Sequence, residues 1–342
     1  MSTELQYHTL TGQSAWQDLL RLLKEEAVSD LRGKPTLRMQ NGRGYWYDRY
    51  RQGDQIVDRY IGEDNPDLRQ RLERHDALRA KAKDRSRETT RLIRLLRSEG
   101  YLTPDLATGQ ILTAMSRAGV FRLGGTVVGT QAFRHYEGVL GVRISADAAA
   151  QTDDIDIASF ERLSLALADH VDPALADVFG SLDFEPLPAV EKNKVWRWRQ
   201  TRRQTLVEFL TPSFSVDEGL RDLSALGVSA QSLHFLNYLI AEPLTVPLLY
   251  RDGALIQIPR PERYAIHKLI VSERRKHGET AQKARKDRAQ AAFLTRVLAL
   301  EDPYALGDAL GAAREKGPAW CAALDAALAK MPETARLIAD LE

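Results

Sequence analysis

The spacing of apolar residues divides the first hundred positions into helical and strand-like segments. Apolar side chains recur every three or four positions over residues 14–31, which predicts an amphipathic helix. Aromatic and β-branched runs at residues 44–51 and 55–62 flank a Gly-Asp turn and predict a β-hairpin. A single arginine-rich helix is predicted from Pro66 to about Glu99.

The middle of the chain mixes strands with helices. A short strand ending in two glycines is predicted at residues 121–125, and a helix at residues 126–140. Residues 152–158 alternate carboxylates with isoleucines, which is typical of a strand with one buried face. Alternating runs predict a second hairpin over residues 194–210 and a third strand pair over residues 244–258.

The pattern is helical from Pro261 onward, with breaks near Gly278, Pro303, Gly317 and Pro332. The predicted fold class is therefore α/β, of the α+β type, with a core sheet and helices. The predicted domains are an N-terminal extension (1–100), a core (101–260) and a C-terminal helical subdomain (261–342).

The composition excludes several classes of protein. Of the 342 residues, 44% are hydrophobic and 28% charged, as in soluble folded proteins. The one cysteine, Cys321, excludes an internal disulfide framework and a Cys-rich zinc site. No apolar run approaches the ~18 residues that a transmembrane helix needs, and the first residues lack the layout of a signal peptide. We therefore expect a cytoplasmic protein that does not act on a membrane.

The near-neutral formal charge of +1 hides a strong segregation of charge. Residues 69–97 hold eleven Lys or Arg against four acids, and residues 274–288 hold seven against two. Residues 145–191, between them, are rich in acids. Two basic segments around an acidic centre favour an anionic partner near a site that uses carboxylates. The alternative is that these charges are solvated helix faces.

Asp154-Ile155-Asp156 is the sharpest chemical feature of the chain. Residues i and i+2 of a strand share a face, so the two carboxylates stand side by side. Like charges this close raise each other's pKa unless a cation lies between them, and Mg²⁺ prefers oxygen ligands. The alternative is an exposed strand edge with solvated acids.

Three further features support a functional site. Gly124-Gly125-Thr126 is predicted to lie where a strand enters a helix, where the backbone can approach a phosphate. Glu208 is an isolated acid in an apolar strand and would suit a third metal ligand. Lys268 lies near the second basic segment, where it could reach a triphosphate; the alternative is a surface lysine.

Together these elements resemble the DNA polymerase β-like nucleotidyltransferase superfamily. Its signature is a strand ending in Gly-Gly or Gly-Ser before a helix, then Asp-x-Asp, then a third acid on a later strand. The chain is also similar to a bacterial family of nucleotidyltransferase-fold proteins, through the run from Gly124 to Thr130, Tyr136 and residues 152–156. This resemblance spans residues 35–290. Thr126 stands where the superfamily usually has Ser, and Glu208 where it usually has Asp.

The resemblance implies a two-metal transfer of a nucleoside monophosphate from an NTP to an acceptor hydroxyl, with release of pyrophosphate. The ions would be Mg²⁺, with Mn²⁺ as an alternative. Both the catalytic residues and the metal ligands would be Asp154, Asp156 and Glu208. The nucleotide-binding residues would be Gly124, Gly125, Thr126, Thr130, Lys268 and Lys286.

The acceptor is the least constrained part of the prediction. Basic segments 69–97 and 274–288, with aromatic residues in the first hairpin and in the 196–199 strand, suit RNA such as a tRNA end. The tryptophans of that strand could equally belong to the core. One alternative is a toxin-like or regulatory enzyme that nucleotidylates a protein, with a protein target or an antitoxin-like partner. Another is a catalytically silent nucleic-acid-binding protein of the same fold.

Overall fold

The structure is a computed structural model, which describes residues 4–52, 55–145, 154–160, 169–191, 194–214, 218–275 and 279–341. In chain order, its helices are α1 Leu10–Ser29, α2 Pro66–Glu73, α3 His75–Ala80, α4 Ala82–Ser98, α5 Leu106–Ala118, α6 Gly129–Leu140, α7 Leu175–Ser181, α8 Leu236–Leu239, α9 Pro261–Arg274, α10 Glu279–Glu301, α11 Pro303–Arg314, α12 Pro318–Leu328 and α13 Pro332–Ala339. Its strands are β1 Lys34–Gln40, β2 Arg43–Gln52, β3 Gln55–Glu63, β4 Thr126–Val128, β5 Asp154–Ala158, β6 Phe184–Pro186, β7 Arg197–Gln200, β8 Leu206–Pro212, β9 Leu220–Leu223, β10 Val228–Leu233, β11 Leu244–Leu248 and β12 Ala254–Ile258.

The predicted α+β class is confirmed, and so are the first helix and all three predicted strand pairs. The Thr9 side chain caps α1 by accepting a hydrogen bond from the Gly12 amide, so this helix begins before the predicted residue 14. Strands β2 and β3 form the first hairpin, whose turn at residues 53–54 lies outside the described residues. Strand β1 was not predicted, and it pairs with β2 to complete a three-stranded antiparallel sheet.

The prediction of one long arginine-rich helix is wrong, because the segment folds as α2, α3 and α4. The backbone leaves the α region at Arg74 (φ −102°, ψ 7°) and at Lys81 (φ −95°, ψ 11°). These breaks let Leu68 and Leu72 pack beside the end of α1 in a small apolar cluster, while α4 packs along α1. Burial of apolar side chains on two different surfaces therefore outweighs helical continuity.

The central sheet has the strand order β4-β5-β8-β10-β9. Strands β5, β8 and β10 are parallel, whereas β4 and β9 run antiparallel to their neighbours. On the edge of β8 opposite β5, two strands pair with β8: β10 pairs with its second half and β7 with its first half. Strand β7 in turn pairs with β6. This arrangement places the first halves of β5 and β8 side by side between β4 and β7.

The predicted strand at residues 121–125 is wrong, since this segment is a turn that precedes β4. Gly124 has φ +91°, and the Gly125 amide donates a hydrogen bond to the Val120 carbonyl at 2.9 Å. A Cβ on Gly125 would lie 2.6 Å from the Val120 side chain, so this glycine permits tight packing of the turn. The strand begins only at Thr126, and the helix α6 follows at Gly129.

One large apolar core joins all three predicted domains, with members from Trp16 in α1 to Ile338 in α13. The domain boundaries themselves remain predictions. The helical C-terminal region is confirmed, with helices starting at Pro303, Pro318 and Pro332, while the break near Gly278 lies outside the described residues. Among the described helices, none combines the length and the apolar character that crossing a bilayer requires.

Candidate active site

Three acids meet at the centre of the sheet. Asp154 and Asp156 lie in β5, and Asp156 is directly opposite Glu208 on the neighbouring parallel strand β8. Ile155 and Ile157 point to the other face and are fully buried. The alternation in the sequence is therefore realised as predicted: the isoleucines anchor the strand in the core and the aspartates share the opposite face.

The buried environment of these acids disfavours the simultaneous ionisation of their carboxyl groups. Burial of the carboxyl, followed by the charges of Glu208 and Asp154, raises the pKa of Asp156 to about 7. Burial is also the main cause that raises the pKa of Glu208, whose side chain is hydrogen-bonded to Asp156. Such a pair can share a proton at neutral pH, which is how two close carboxylates coexist without a cation.

The donor chemistry of this cluster fits a divalent cation that prefers oxygen. The three carboxylates supply only oxygen ligands, the set that Mg²⁺ and Mn²⁺ accept, and a bound cation would offset the charges that raise the pKa of Asp156. In the described residues, however, no group of three or more His, Cys, Asp or Glu side chains is already arranged as a metal site.

The junction between β4 and α6 lies against these acids. Val128, the last residue of β4, is directly opposite Asp156 on β5. Gly129 follows with φ +65°, and a Cβ there would lie 2.5 Å from Oδ2 of Asp156. Only glycine therefore lets the strand turn into the helix this close to the carboxylate. Thr130 occupies the first turn of α6, at the positive end of the helix dipole.

The strand-to-helix junction expected at Gly124-Gly125-Thr126 is consequently located four residues later, at Val128-Gly129. Thr126 is buried as the first residue of β4, and its hydroxyl is 3.4 Å from the carbonyl oxygen of Gly124. The prediction that Gly124, Gly125 and Thr126 lie where a strand enters a helix is thus wrong, while their part in phosphate binding remains a prediction. Among the predicted nucleotide-binding residues of this region, Thr130 is the one that lies at the start of a helix.

Helix α9 reinforces this junction. The Tyr264 hydroxyl donates a hydrogen bond to the carbonyl oxygen of Gly129 at 2.8 Å. Tyr264 is itself fully buried, and its ring stacks against Phe133 of α6. The backbone next to Asp156 is therefore held from both sides, by the sheet and by α9.

Lys268 lies in a buried ion pair rather than on the surface. Its Nζ is 2.5 Å from Oδ1 of Asp287, and Arg275 Nη1 is 2.5 Å from Oδ2 of the same carboxylate. Both cations lie close enough to the acids for their charges to offset part of the rise in the pKa of Asp156. Burial, followed by the charge of Lys268, lowers the pKa of the half-buried Lys286. One acid and three cations therefore form a positive cluster beside the carboxylates.

Arg197 approaches the acids from the other side. It is directly opposite Glu208 on β7, with its Nη1 3.9 Å from the Glu208 Oε1. Trp198, the next residue of β7, points to the opposite face and is buried against Phe179 and Phe209. Trp198 is thus a core residue, and it offers no stacking surface to RNA.

Sequence reasoning missed four residues of this site: Gly129, Tyr264, Asp287 and Arg197. Two of them carried a usable signal. The run Val127-Val128-Gly129-Thr130 fits the strand-glycine-hydroxyl-helix pattern as well as Gly124-Gly125-Thr126 does. The alternation from 196 to 199 already assigns Arg197 to the face opposite the tryptophans.

Some side chains of the other predicted nucleic-acid-binding elements make contacts within the protein and are not available to a ligand. In the first hairpin, Tyr47 is buried, and Trp46 donates a hydrogen bond to Asp64 and packs on the small apolar cluster. Arg85 is buried and donates to the Leu78 carbonyl. Most of the remaining basic side chains of α2 to α4 are exposed. Segment 274–288 includes residues 276–278, which lie outside the described residues.

Comparison with known proteins adds two matches. A family model described as Nucleotidyltransferase matches residues 107–315, which is more than half of the chain. A second model, described as a domain of unknown function (DUF6788), matches residues 13–70, which contain α1 and the three-stranded sheet. Neither the curated proteins nor the solved structures contain a match to the chain.

Proposed function

Because the chain belongs to the Nucleotidyltransferase family, a family of transferases, we propose that it transfers a nucleoside monophosphate from an NTP to a hydroxyl at an RNA end. The observation that carries this proposal is the meeting of Asp154, Asp156 and Glu208 beside the glycine junction at Gly129. Both features lie within the segment matched by the family model.

In the proposed reaction the acceptor hydroxyl oxygen forms a bond to the α-phosphorus of the NTP. The bond from that phosphorus to the oxygen bridging the α- and β-phosphates breaks, and pyrophosphate leaves. The proton of the hydroxyl passes to the Glu208 carboxylate, which the pairing of β5 with β8 places directly opposite Asp156. Atoms and charges balance without any further reactant.

Asp154, Asp156 and Glu208 are the residues that would hold Mg²⁺ or Mn²⁺. When bound there, the ion supplies Lewis-acid polarisation of phosphate oxygens and lowers the pKa of the attacking hydroxyl. Gly129 lets the N-terminus of α6 approach Asp156 closely, and Thr130 would offer a hydroxyl and the free N–H groups of that helix N-terminus to phosphate oxygens.

Lys268, Arg275 and Lys286 would stabilise the charge that develops on the leaving pyrophosphate. The Asp287 carboxylate holds the first two at 2.5 Å before any nucleotide arrives, so little reorganisation is needed during the reaction. The net positive charge of the cluster suits a polyphosphate more than a neutral group.

Helices α2 to α4 support RNA as the acceptor. The exposed cations of these helices and of the breaks between them are Arg69, Arg74, Arg79, Lys81, Lys83, Arg87, Arg91, Arg94 and Arg97. Several pair with nearby acids, as Arg91 does with Glu88, but exposed pairs of this kind contribute little stability and can be exchanged for phosphate contacts.

The direct test incubates the purified chain with each α-³²P-labelled NTP, Mg²⁺ and total tRNA, with cell lysate in a parallel reaction. We expect label in RNA with the wild type and a loss of at least 10³-fold in the double variant Asp154→Asn/Asp156→Asn. Asp308→Asn, an exposed acid on α11, is the matched control and should retain wild-type transfer. Label in protein but not in RNA would replace RNA by a protein acceptor, and no transfer from any NTP would refute the proposed activity.

A further inference from the structure

The polar face that carries the three acids continues onto β7. Arg197 is directly opposite Glu208, and Arg199 is directly opposite Leu206, which in turn is opposite Asp154. Side chains of directly paired residues point to the same face of a sheet. The two arginines therefore form a row beside the acids, one strand away from Glu208.

Arg197 is held in a fixed position on this face. Its Cζ lies 4.4 Å from the ring centroid of Trp196, and its Nη1 is 3.9 Å from the Glu208 Oε1. Its Nε is buried and has no hydrogen-bond partner among the described residues, while 35% of the side chain is exposed. At 3.9 Å the contact with Glu208 is too long for a hydrogen bond, so the exposed part of the guanidinium keeps donors available at the edge of the site.

Arg199 is exposed at the solvent end of the same row. Within the part of the chain that the structure describes, no acid lies within ion-pair distance of its guanidinium, although Glu185 is its cross-strand neighbour on β6. The Cα atoms of residues 197 and 199 are about 7 Å apart along the strand. Two such side chains can contact separate phosphates or clamp one.

The position of this row separates it from the region where the NTP phosphates are proposed to bind. Gly129, Lys268 and Asp287 approach Asp156 from the side of β4 and α9, whereas the two arginines lie beyond β8. With strands about 4.8 Å apart, β4 and β7 are separated by about 14 Å. The acids lie between them, where an acceptor hydroxyl and an α-phosphate would have to meet.

We propose that Arg197 and Arg199 form a phosphate-binding subsite for the acceptor nucleic acid, which holds the last phosphodiesters so that the terminal hydroxyl lies over the acids. This inference rests on the proposed nucleotidyl transfer, and it adds the location at which the acceptor nucleic acid binds. Arginine favours the bidentate contacts that phosphate oxygens accept, and the arrangement needs no base-specific contact.

The test measures binding of a fluorescein-labelled 12-nucleotide single-stranded RNA with a free 3′ hydroxyl, by anisotropy, over a range of KCl concentrations without NTP. We expect Arg199→Gln to weaken binding about tenfold and Arg197→Gln/Arg199→Gln about a hundredfold. The slope of log K against log salt should become shallower by about 0.7 for each lost contact. Arg197→Lys should lie between the wild type and Arg197→Gln. Arg336→Gln, an exposed arginine on α13, is the charge-matched control and should bind as the wild type does.

Equal affinity and equal salt slope in the wild type and the double variant would overturn the subsite, as would failure of the wild type to bind this RNA. Both results stand apart from the label-transfer assay. Transfer that persists with unaltered RNA binding would refute the subsite alone. Arginine-dependent RNA binding without transfer from any NTP would refute the catalytic function and support the subsite.

Discussion

Tyr264 donates a hydrogen bond to the carbonyl oxygen of Gly129 at 2.8 Å, which ties α9 to the backbone that lies against Asp156. A helix distant in sequence thus positions the turn where the candidate site begins. The contact lies entirely within the segment matched by the family model.

Tyr264→Phe removes this hydrogen bond, together with the contact of the same hydroxyl with Gln290 Oε1 at 3.0 Å, while preserving the packed ring. We expect the free energy of unfolding to fall by about 1 kcal/mol, because a buried carbonyl loses its donor. Transfer should fall more than stability alone explains, with the larger effect on the KM for NTP. Denaturant titration and steady-state kinetics measure the two effects. Unchanged kinetics would show that the bond does not position the junction.

Gly129→Ala introduces a Cβ only 2.5 Å from Oδ2 of Asp156, at a backbone with φ +65°. We expect a loss of stability of about 1–3 kcal/mol and a loss of transfer. Gly180→Ala in α7 is the matched control, since a Cβ there meets nothing within 4 Å and its φ is not positive. That change should leave stability equal or raise it by up to about 1 kcal/mol. A Gly129→Ala chain as stable and active as the wild type would contradict the close approach.

Asp156→Asn should stabilise the metal-free protein at alkaline pH while abolishing transfer. The folded-state pKa of about 7 lies above the unfolded value of 3.8, so the wild type loses stability as the pH rises from about 4 to about 7. The amide cannot ionise and escapes this loss. Unfolding in EDTA at pH 5 and pH 8 tests the prediction, and a variant no more stable than the wild type at pH 8 would contradict the raised pKa.

His267 should make the protein sensitive to acid. Burial lowers the pKa of this side chain from 6.5 to about 3, and the neighbouring charge of Lys268 adds to the effect. Since the unfolded chain binds the proton first, stability falls as the pH drops from about 6.5 towards 3, by at most about 1.4 kcal/mol per pH unit. His267→Gln should flatten the dependence between pH 6 and pH 4. Parallel curves for the two proteins would refute this assignment.

Local periodicity was enough to predict the strand pairs, the face shared by Asp154 and Asp156, and the third acid on a later strand. It failed where tertiary contacts decide the outcome. The run around Gly124 forms a turn because Val120 packs against Gly125, and a pattern of glycines does not reveal that contact.

Long-range partners explain the remaining differences. The residues around Lys268 in the sequence do not indicate that it forms a buried ion pair with Asp287, nineteen residues later. The breaks at Arg74 and Lys81 likewise depend on surfaces supplied by α1. Side chains placed by strand alternation were therefore predictable, and those placed by helix docking were not.

The continuous core has a practical meaning for how the molecule can be divided. The family match begins at residue 107, yet Trp16 and Leu19 of α1 and Leu96 of α4 pack in the same core as the sheet that carries the acids. A fragment cut at that match would uncover this apolar surface and tend to aggregate. Experiments on the candidate site therefore need the whole chain as their starting material.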